Sequence, residues 1–251
     1  MRILLTNDDG INAPGLKVLE AIARAMSDDV WVCAPAEEQS GAGHSLTLHH
    51  PVRLRDHGDN RFSVTGTPTD SVNLALRKLF PDRLPDLVLS GVNAGQNLGD
   101  DITYSGTISA AMEAALAGIP AIGLSQAYSK SVQTFEAAEQ WGAKVLAPLI
   151  DVKMAKRTLV NVNFPALPAD EVKGIRVVRQ GFHDYSRGSL VQGTDPRGRN
   201  YYWFGLQPAE HTLDHGTDLE AVDDGYIAVT PLQLDLTNHP AIDALAGRFP
   251  A

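Results

Sequence analysis

Cysteine is almost absent from this sequence. Its 251 residues include one cysteine, Cys33, and a single thiol excludes an internal disulfide framework. Because Cys33 stands within an apolar run, we interpret it as a small buried side chain. A chain with so little cysteine suits a reducing compartment.

Long apolar runs are also missing. The first run covers only residues 3–5, which is too short for the core of a signal peptide. Later segments all fall short of the roughly 18 apolar residues that a membrane-spanning helix needs. We therefore expect a cytoplasmic protein without a membrane partner.

Positive charge is in deficit. The formal net charge is −9 at pH 7 and the pI is near 5.3. The average field of such a chain does not attract a nucleic-acid polymer or an anionic membrane, so we expect neither as a partner. A small anionic substrate is compatible with this charge if a metal ion supplies local positive charge.

Three familiar signatures of nucleotide-binding proteins and hydrolases are missing as well. The first apolar run is not followed by G-x-G-x-x-G, the fingerprint of dinucleotide-binding proteins. Neither the P-loop pattern G-x-x-x-x-G-K-[ST] nor the G-x-S-x-G elbow occurs anywhere in the chain.

The apolar residues that are present alternate between strand-like runs and helical spacing. Strand-like runs cover residues 3–5, 30–33, 87–89, 121–124 and 159–162, and helical spacing covers residues 16–26, 67–80, 108–117 and 134–149. This order predicts an α/β fold with parallel strands and crossover helices. Alternation between residues 46 and 65 predicts an inserted β-hairpin.

The pattern changes after Pro165. Further strands are expected at residues 175–178, 201–204 and 225–229, joined by polar stretches at 180–200 and 208–218. Structureless loops of that length are uncommon inside a compact domain. We therefore expect residues 1–165 to form a catalytic core, and residues 166–251 to form an extension that packs on the core or across a subunit interface.

The first run ends in two adjacent carboxylates, Asp8 and Asp9, followed by Gly10. Ligands of open α/β sheets bind at the carboxyl ends of strands, and neighbouring carboxylates repel each other unless a cation neutralises them. Oxygen ligands alone suit a hard ion such as Mg²⁺ or Mn²⁺. The alternative is an ordinary turn, in which Asp and Gly are common.

Two later strand ends offer further oxygen ligands, the Ser40 hydroxyl and the Asn93 amide. Together with Asp8 and Asp9 they form a partial shell for one divalent ion, which waters would complete. Such an ion keeps open positions, so it can polarise a phosphoryl group and activate a water.

A second group of residues is suited to holding a phosphate. Ser105, Gly106 and Thr107 precede an Ala-rich helix, and a helix start binds anions through its free N–H groups. The alternative is a plain helix cap. Asn97 lies in a Gly-rich loop that can approach a ligand, and His44 is a candidate for contact with the leaving group, although a lone His in a polar loop is often only solvated.

The motifs in this order resemble those of the SurE (survival protein E) nucleotidases. The likeness is carried by residues 3–15, 40–41, 66–70, 90–95, 97–101, 104–107, 195–198, 222–226 and 230–232, which span nearly the whole chain. One departure is the segment 36–39, Ala-Glu-Glu-Gln, where family members commonly carry Asp and basic residues. This difference in charge affects how the loop interacts with an anionic substrate, and therefore which substrates the protein prefers.

The resemblance implies a metal-dependent phosphatase acting on nucleoside 5′- and often 3′-monophosphates, sometimes with activity on short polyphosphate. It implies metal ligands at Asp8, Asp9, Ser40 and Asn93, with phosphate contacts at Asn97 and residues 105–107. It also implies a Rossmann-like core with a C-terminal β extension exchanged between subunits of a homodimer, often within a homotetramer. Asp8 and Asp9 are then the expected catalytic residues.

Two other classes of protein share some of these features. A receiver-type signalling module also places acidic residues after its first strand, but it needs an aspartate phosphoacceptor after the third, where this chain has Asn93. A noncatalytic, metal-dependent nucleotide sensor would keep every binding residue. Steady release of phosphate separates the enzyme from both.

Overall fold

The computed structural model describes residues 1–129, 134–182, 189–205 and 215–249. Within those ranges, eleven strands are β1 Arg2–Thr6, β2 Asp29–Pro35, β3 Leu54–Asp56, β4 Arg61–Val64, β5 Leu87–Ala94, β6 Ala121–Gln126, β7 Thr158–Phe164, β8 Ile175–Val177, β9 Ser189–Thr194, β10 Asn200–Gly205 and β11 Ile227–Gln233. The helices are α1 Pro14–Arg24, α2 Pro68–Lys78, α3 Gly106–Leu116, α4 Glu136–Ile150, α5 Asp218–Asp223 and α6 His239–Ala246, and Gly99–Thr103 forms a 3₁₀ helix.

The main sheet is mixed and mostly parallel, as the sequence pattern predicts. Its order is β3-β4-β2-β1-β5-β6-β7-β11-β8, and β1 pairs in parallel with both β2 and β5. β2, which follows β1 in the chain, lies on one side of β1 in the sheet, and β5, which comes later, lies on the other side. This reversal opens a crevice at the carboxyl ends of β1, β2 and β5, which is the usual ligand site of open α/β sheets.

Two apolar layers cover the sheet, one on each face. Ile3 and Leu5 point into the layer that contains α1 and α4, whereas Leu4 points into the layer that contains α2 and α3. Successive side chains of a strand face opposite sides, so a strand buried on both faces has a continuous apolar run. Cys33 is fully buried in the second layer, as the sequence analysis expected.

The predicted hairpin is shorter than its sequence pattern. β3 and β4 form an antiparallel pair that extends the sheet beyond β2, but residues 46–53 form no strand and Leu48 is 79% exposed. The prediction of a strand beginning at Leu46 is therefore wrong. Thr47 instead donates its backbone and hydroxyl hydrogens to Asp70, and Pro51 has no N–H for a ladder.

The segment after residue 165 contributes to two sheets. β11 pairs antiparallel with β7 and in parallel with β8, so these strands extend the main sheet, while β9 and β10 form a separate hairpin. The stretch 180–200, which the sequence predicts as a loop, contains β9, so that prediction is wrong there; the parts at 183–188 and 208–214 lie outside the described residues. Among the described helices, none combines the length and apolar character that a bilayer crossing requires.

Candidate active site

Loops from four elements meet at the crevice beside β1. The Gln39 amide, in the loop after β2, donates to the Asp8 carbonyl at 2.8 Å. The Ala94 amide at the end of β5 donates to Asp9 Oδ2 at 3.2 Å, and the Thr107 hydroxyl at the start of α3 donates to Asp8 Oδ1. The structure thus brings the predicted carboxylates together with the two other strand ends and the helix start.

Asp8 lies at the bottom of the crevice, with 4% of its surface exposed. Burial raises the pKa of Asp8 to about 6; the Thr107 hydrogen bond opposes this rise, and the charge of Asp9 adds to it. A Cβ on Gly106 would lie 2.7 Å from Asp8 Cβ and 2.9 Å from Asp8 Oδ2. The Asp8 carboxyl therefore packs directly on the backbone at the start of α3.

Asp9 is less buried than Asp8. Burial raises its pKa as well, the hydrogen bond from Ala94 opposes the rise, and the charge of Glu38 adds to it. The charges that act on this carboxylate pair thus come from acidic neighbours. A cation close by would therefore stabilise the ionised form of both carboxyl groups.

The other two predicted ligands lie at the ends of β2 and β5. Asn93 is half-buried and donates its amide nitrogen to the Gly95 carbonyl at 2.9 Å, which leaves its oxygen for a cation. Ser40 is exposed and donates its hydroxyl to Glu38 Oε1 at 2.9 Å, so the lone pairs of its oxygen are available to a cation.

The oxygen donors of this crevice fit a hard divalent ion. They comprise two carboxylates, one amide and one hydroxyl, which is the chemistry that Mg²⁺ and Mn²⁺ prefer. Within the described residues, no cluster of three or more His, Cys, Asp or Glu side chains offers a metal site of another kind.

The Ser105-Gly106-Thr107 triplet caps α3. Ser105 Oγ accepts a hydrogen bond from the Ile108 amide at 3.1 Å, so the helix cap predicted as the alternative is present. Thr107 donates its hydroxyl to Asp8, and all three residues are buried. The positive end of α3 therefore faces the carboxylate pair.

Asn97 and His44 are held by different neighbours. Asn97 is 6% exposed, and its side-chain nitrogen donates to Ser125 Oγ at 2.8 Å, so this nitrogen is already engaged within the protein. His44 is exposed, and its Nε2 lies 3.2 Å from Glu113 Oε2 on α3. That hydrogen bond lowers the pKa of Glu113, while burial opposes the lowering.

Sequence reasoning missed three parts of the site. Glu38, in the segment that departs from the family pattern, contacts Ser40. Tyr128 follows β6, and its pKa is raised by burial and then by the charge of Asp9, which identifies it as a neighbour of the carboxylates. Asn161 and Asn163 on β7 contact Asn97, and their signal was an alternation of polar residues within a run expected to be buried on both faces.

Comparison with known proteins gives one consistent result. The family model described as survival protein SurE matches residues 3–187. A protein from Erythrobacter litoralis is 68% identical over 251 residues, with 99% of this chain and 100% of the relative covered, and one from Rhizorhabdus wittichii is 58% identical over 253 residues with the same coverage. Both carry the name 5′-nucleotidase SurE.

A solved structure agrees with these relatives. The crystal structure of the SurE protein from Aquifex aeolicus matches with a TM-score of 0.86 at 38% sequence identity, and the match covers 99% of each chain. Sequence and fold thus match the same family along nearly the whole length, and the chain belongs to the survival protein SurE family.

Proposed function

We propose that this protein is a 5′-nucleotidase, a phosphoric monoester hydrolase that converts nucleoside monophosphates to nucleoside and phosphate. The observation that carries the proposal is the full-length match to a 5′-nucleotidase at 68% identity. The acidic crevice supports it, because two adjacent carboxylates face a helix start at the switch point of the sheet.

Asp8, Asp9, Ser40 and Asn93 would hold one divalent cation per subunit, Mg²⁺ or Mn²⁺. When bound, such a cation supplies Lewis-acid polarisation of the phosphoryl group and makes an attacking water more acidic. The Thr107 hydroxyl holds Asp8 in place, and the Ala94 amide holds Asp9. The carboxylates are thus oriented before any ligand arrives, which is the requirement for preorganised catalysis.

The remaining residues act on the substrate. The start of α3 at Ser105, Gly106 and Thr107 would offset the negative charge of the phosphate, and we assign Asn97 as a further phosphate contact. Water attacks phosphorus and the bond from phosphorus to the ester oxygen breaks. Asp8 or Asp9 takes the proton that the water loses, and the departing ester oxygen takes a proton from that carboxyl group or from solvent, so that the nucleoside leaves as an alcohol. We assign His44 to contact with the leaving nucleoside oxygen.

The proposal extends to other phosphate esters. A cation and a helix start recognise the phosphoryl group rather than the sugar or base, so we include nucleoside 3′-monophosphates and short polyphosphate as secondary substrates. Residues 1–165 would be the catalytic core and residues 166–251 the oligomerisation element of a cytoplasmic homodimer or homotetramer, exchanged between subunits.

The test is release of phosphate from a panel of 5′- and 3′-nucleoside monophosphates with Mg²⁺, Mn²⁺ or EDTA. We expect many turnovers with a divalent metal, none with EDTA, and a loss of roughly 10²-fold or more in Asp8→Asn. Asp28→Asn is the matched control, because Asp28 is exposed and precedes β2 at the opposite edge of the sheet.

The same assay separates the alternatives. Nucleotide binding with metal but without turnover would replace the hydrolase by a nucleotide sensor. Stoichiometric labelling of Asp8 or Asp9 by a phosphate donor, again without turnover, would favour a receiver-type module.

A further inference from the structure

Three of the buried polar side chains on one face of the sheet form a single hydrogen-bonded cluster. Ser125 on β6 and Asn161 and Asn163 on β7 each have 0% of their surface exposed. Ser125 pairs with Asn163 across the two strands, so the three side chains lie on the same face. Leu159 precedes them on that face and packs in the apolar layer of α2 and α3.

These side chains all bind one residue, Asn97. The Asn97 amide donates to Asn163 Oδ1 at 2.8 Å, and the Asn97 carbonyl accepts from Asn161 Nδ2 at 2.8 Å and from Asn163 Nδ2 at 3.1 Å. The Asn97 side chain adds the contact to Ser125 at 2.8 Å. Both backbone groups of one loop residue are therefore held by side chains of β7.

The network is closed on itself. Asn163 uses its oxygen for the Asn97 amide and both hydrogens of its nitrogen, one for the Asn97 carbonyl and one for Asn161 Oδ1 at 3.1 Å. Asn161 likewise uses its oxygen and its nitrogen. Because the side-chain amides of both asparagines already form hydrogen bonds with protein atoms, we interpret them as groups that hold the loop rather than groups that bind a ligand.

The loop they hold joins two parts of the site. Asn93 and Ala94, which contacts Asp9, lie at one end of residues 94–99. At the other end the Gly99 amide donates to Asp218 Oδ2 at 3.0 Å, and Asp218 is itself fully buried on α5. The asparagines of β7 hold the middle of the loop, so the backbone of residues 94–99 is fixed along its length, and Asn93 directly precedes it.

We propose that Asn161 and Asn163 are positioning residues for the active-site loop 94–99. Two amides in the centre of a sheet cost more to bury than the aliphatic side chains of a typical core strand, unless every hydrogen bond is made. Here the bonds are made to Asn97, so the amides hold Asn93 and Ala94 against the carboxylate pair. The inference rests on the proposed function, because it assigns the loop to that site.

The test compares four variants at a temperature well below their melting points. Asn163→Ala removes three hydrogen bonds of the network, and Ser125→Ala removes one and serves as the milder variant. Leu159→Ala lowers stability on the same face without touching the loop. Thr230→Val is the matched polar control, because Thr230 lies opposite Asn161 and its buried hydroxyl lacks a partner within the described residues.

We expect kcat/KM of Asn163→Ala to fall at least tenfold and that of Ser125→Ala by a smaller factor. Leu159→Ala should lower the Tm and leave kcat/KM within twofold. Thr230→Val should leave kcat/KM unchanged without lowering the Tm, because the hydroxyl that it removes is buried without a partner among the described residues. The proposal is wrong if Asn163→Ala stays within twofold of the wild type, or if Leu159→Ala loses as much activity at equal Tm.

Amide hydrogen exchange supplies a readout that is independent of turnover. The segment 94–99 should be protected in the wild type, exchange faster in Asn163→Ala, and keep its protection in Thr230→Val. Protection that is unchanged in Asn163→Ala would overturn the inference. If the wild type shows the protection but releases no phosphate, the proposed function fails while the positioning of the loop stands.

Discussion

At the scale of single residues, the site depends on how closely α3 approaches Asp8. Gly106 has no side chain, and the Asp8 carboxyl occupies the space that a Cβ would take. The same approach brings the Thr107 hydroxyl to Asp8 and the positive helix end to the carboxylate pair. A residue that the sequence marks only as part of a helix start therefore decides the position of Asp8.

Gly106→Ala should impair activity without unfolding the protein. The added Cβ would lie 2.7 Å from Asp8 Cβ, so Asp8 or α3 must move, and a displacement of about 1 Å can cost roughly 10²-fold in rate. Steady-state kinetics and thermal melting of the purified variant measure both effects.

Gly247→Ala is the matched control. Gly247 caps α6, and an added Cβ would lie 3.7 Å from the Asp243 carbonyl oxygen, which is an ordinary van der Waals distance. If Gly106→Ala has wild-type kinetics, activity does not depend on the close packing of the Asp8 carboxyl on Gly106, and this prediction is wrong.

At the scale of elements, α2 shows how a cap is built from distant parts of the chain. Thr67 and Asp70 form a reciprocal capping box, and Thr47 donates two hydrogen bonds to the same carboxylate. Burial alone would raise the pKa of Asp70, but the hydrogen bonds from Thr47 and Thr67 outweigh burial and hold this pKa below its ordinary value of 3.8.

Asp70→Asn should therefore lose stability in a pH-dependent way. A carboxyl whose pKa is lower in the folded state stabilises the fold above pH 3.8, and this contribution disappears as pH falls through the folded pKa. We expect the variant to lose about 1 kcal/mol of unfolding free energy at pH 7, and less at pH 3.

Urea unfolding at the two pH values measures the difference. Asp82→Asn, an exchange of an exposed aspartate beyond α2, should match the wild type at both. A loss that is equal at pH 7 and pH 3 would mean that the charge of Asp70 contributes nothing to the cap.

At the scale of the whole molecule, the hairpin of β9 and β10 presents apolar side chains to solvent. Trp203 is 68% exposed and pairs with Val191, which is 57% exposed, on one face of the hairpin; Phe204 is 87% exposed and pairs with Leu190, which is 56% exposed, on the other. Contiguous exposed apolar patches are typical of protein interfaces. This surface supports assigning the segment after residue 165 to contact between subunits.

If the hairpin forms the subunit contact of the proposed oligomer, replacing Trp203 and Phe204 together by Ser should shift the protein towards monomer, because exposed apolar area is removed from that contact. Sedimentation velocity over a range of concentrations measures the shift. Val152→Ser is the control, since Val152 is 52% exposed but lies outside the hairpin. An unchanged mass of the double variant would place the subunit contact elsewhere.

Much of the main sheet follows from local pattern. Residues 3–5 predict a buried strand and are one, and the helical spacing after residue 67 predicts α2, because periodicity records which side chains face the core. The prediction of a hairpin strand beginning at Leu46 was wrong because Thr47 is hydrogen-bonded to Asp70, 23 residues further along the chain. The prediction of a loop at 180–200 was wrong because β9 pairs with another strand, β10.

Local pattern is enough to predict the α/β class and to place Asp8, Asp9, Ser40 and Asn93 after strands, because alternating strands and helices bring the strand ends to one edge. The packing of Gly106 on Asp8 and the hydrogen bonds of Asn161 and Asn163 to Asn97 are visible only in the folded chain. Those contacts join residues 98, 64 and 66 positions apart, and such distances are set by how the layers pack rather than by any local preference.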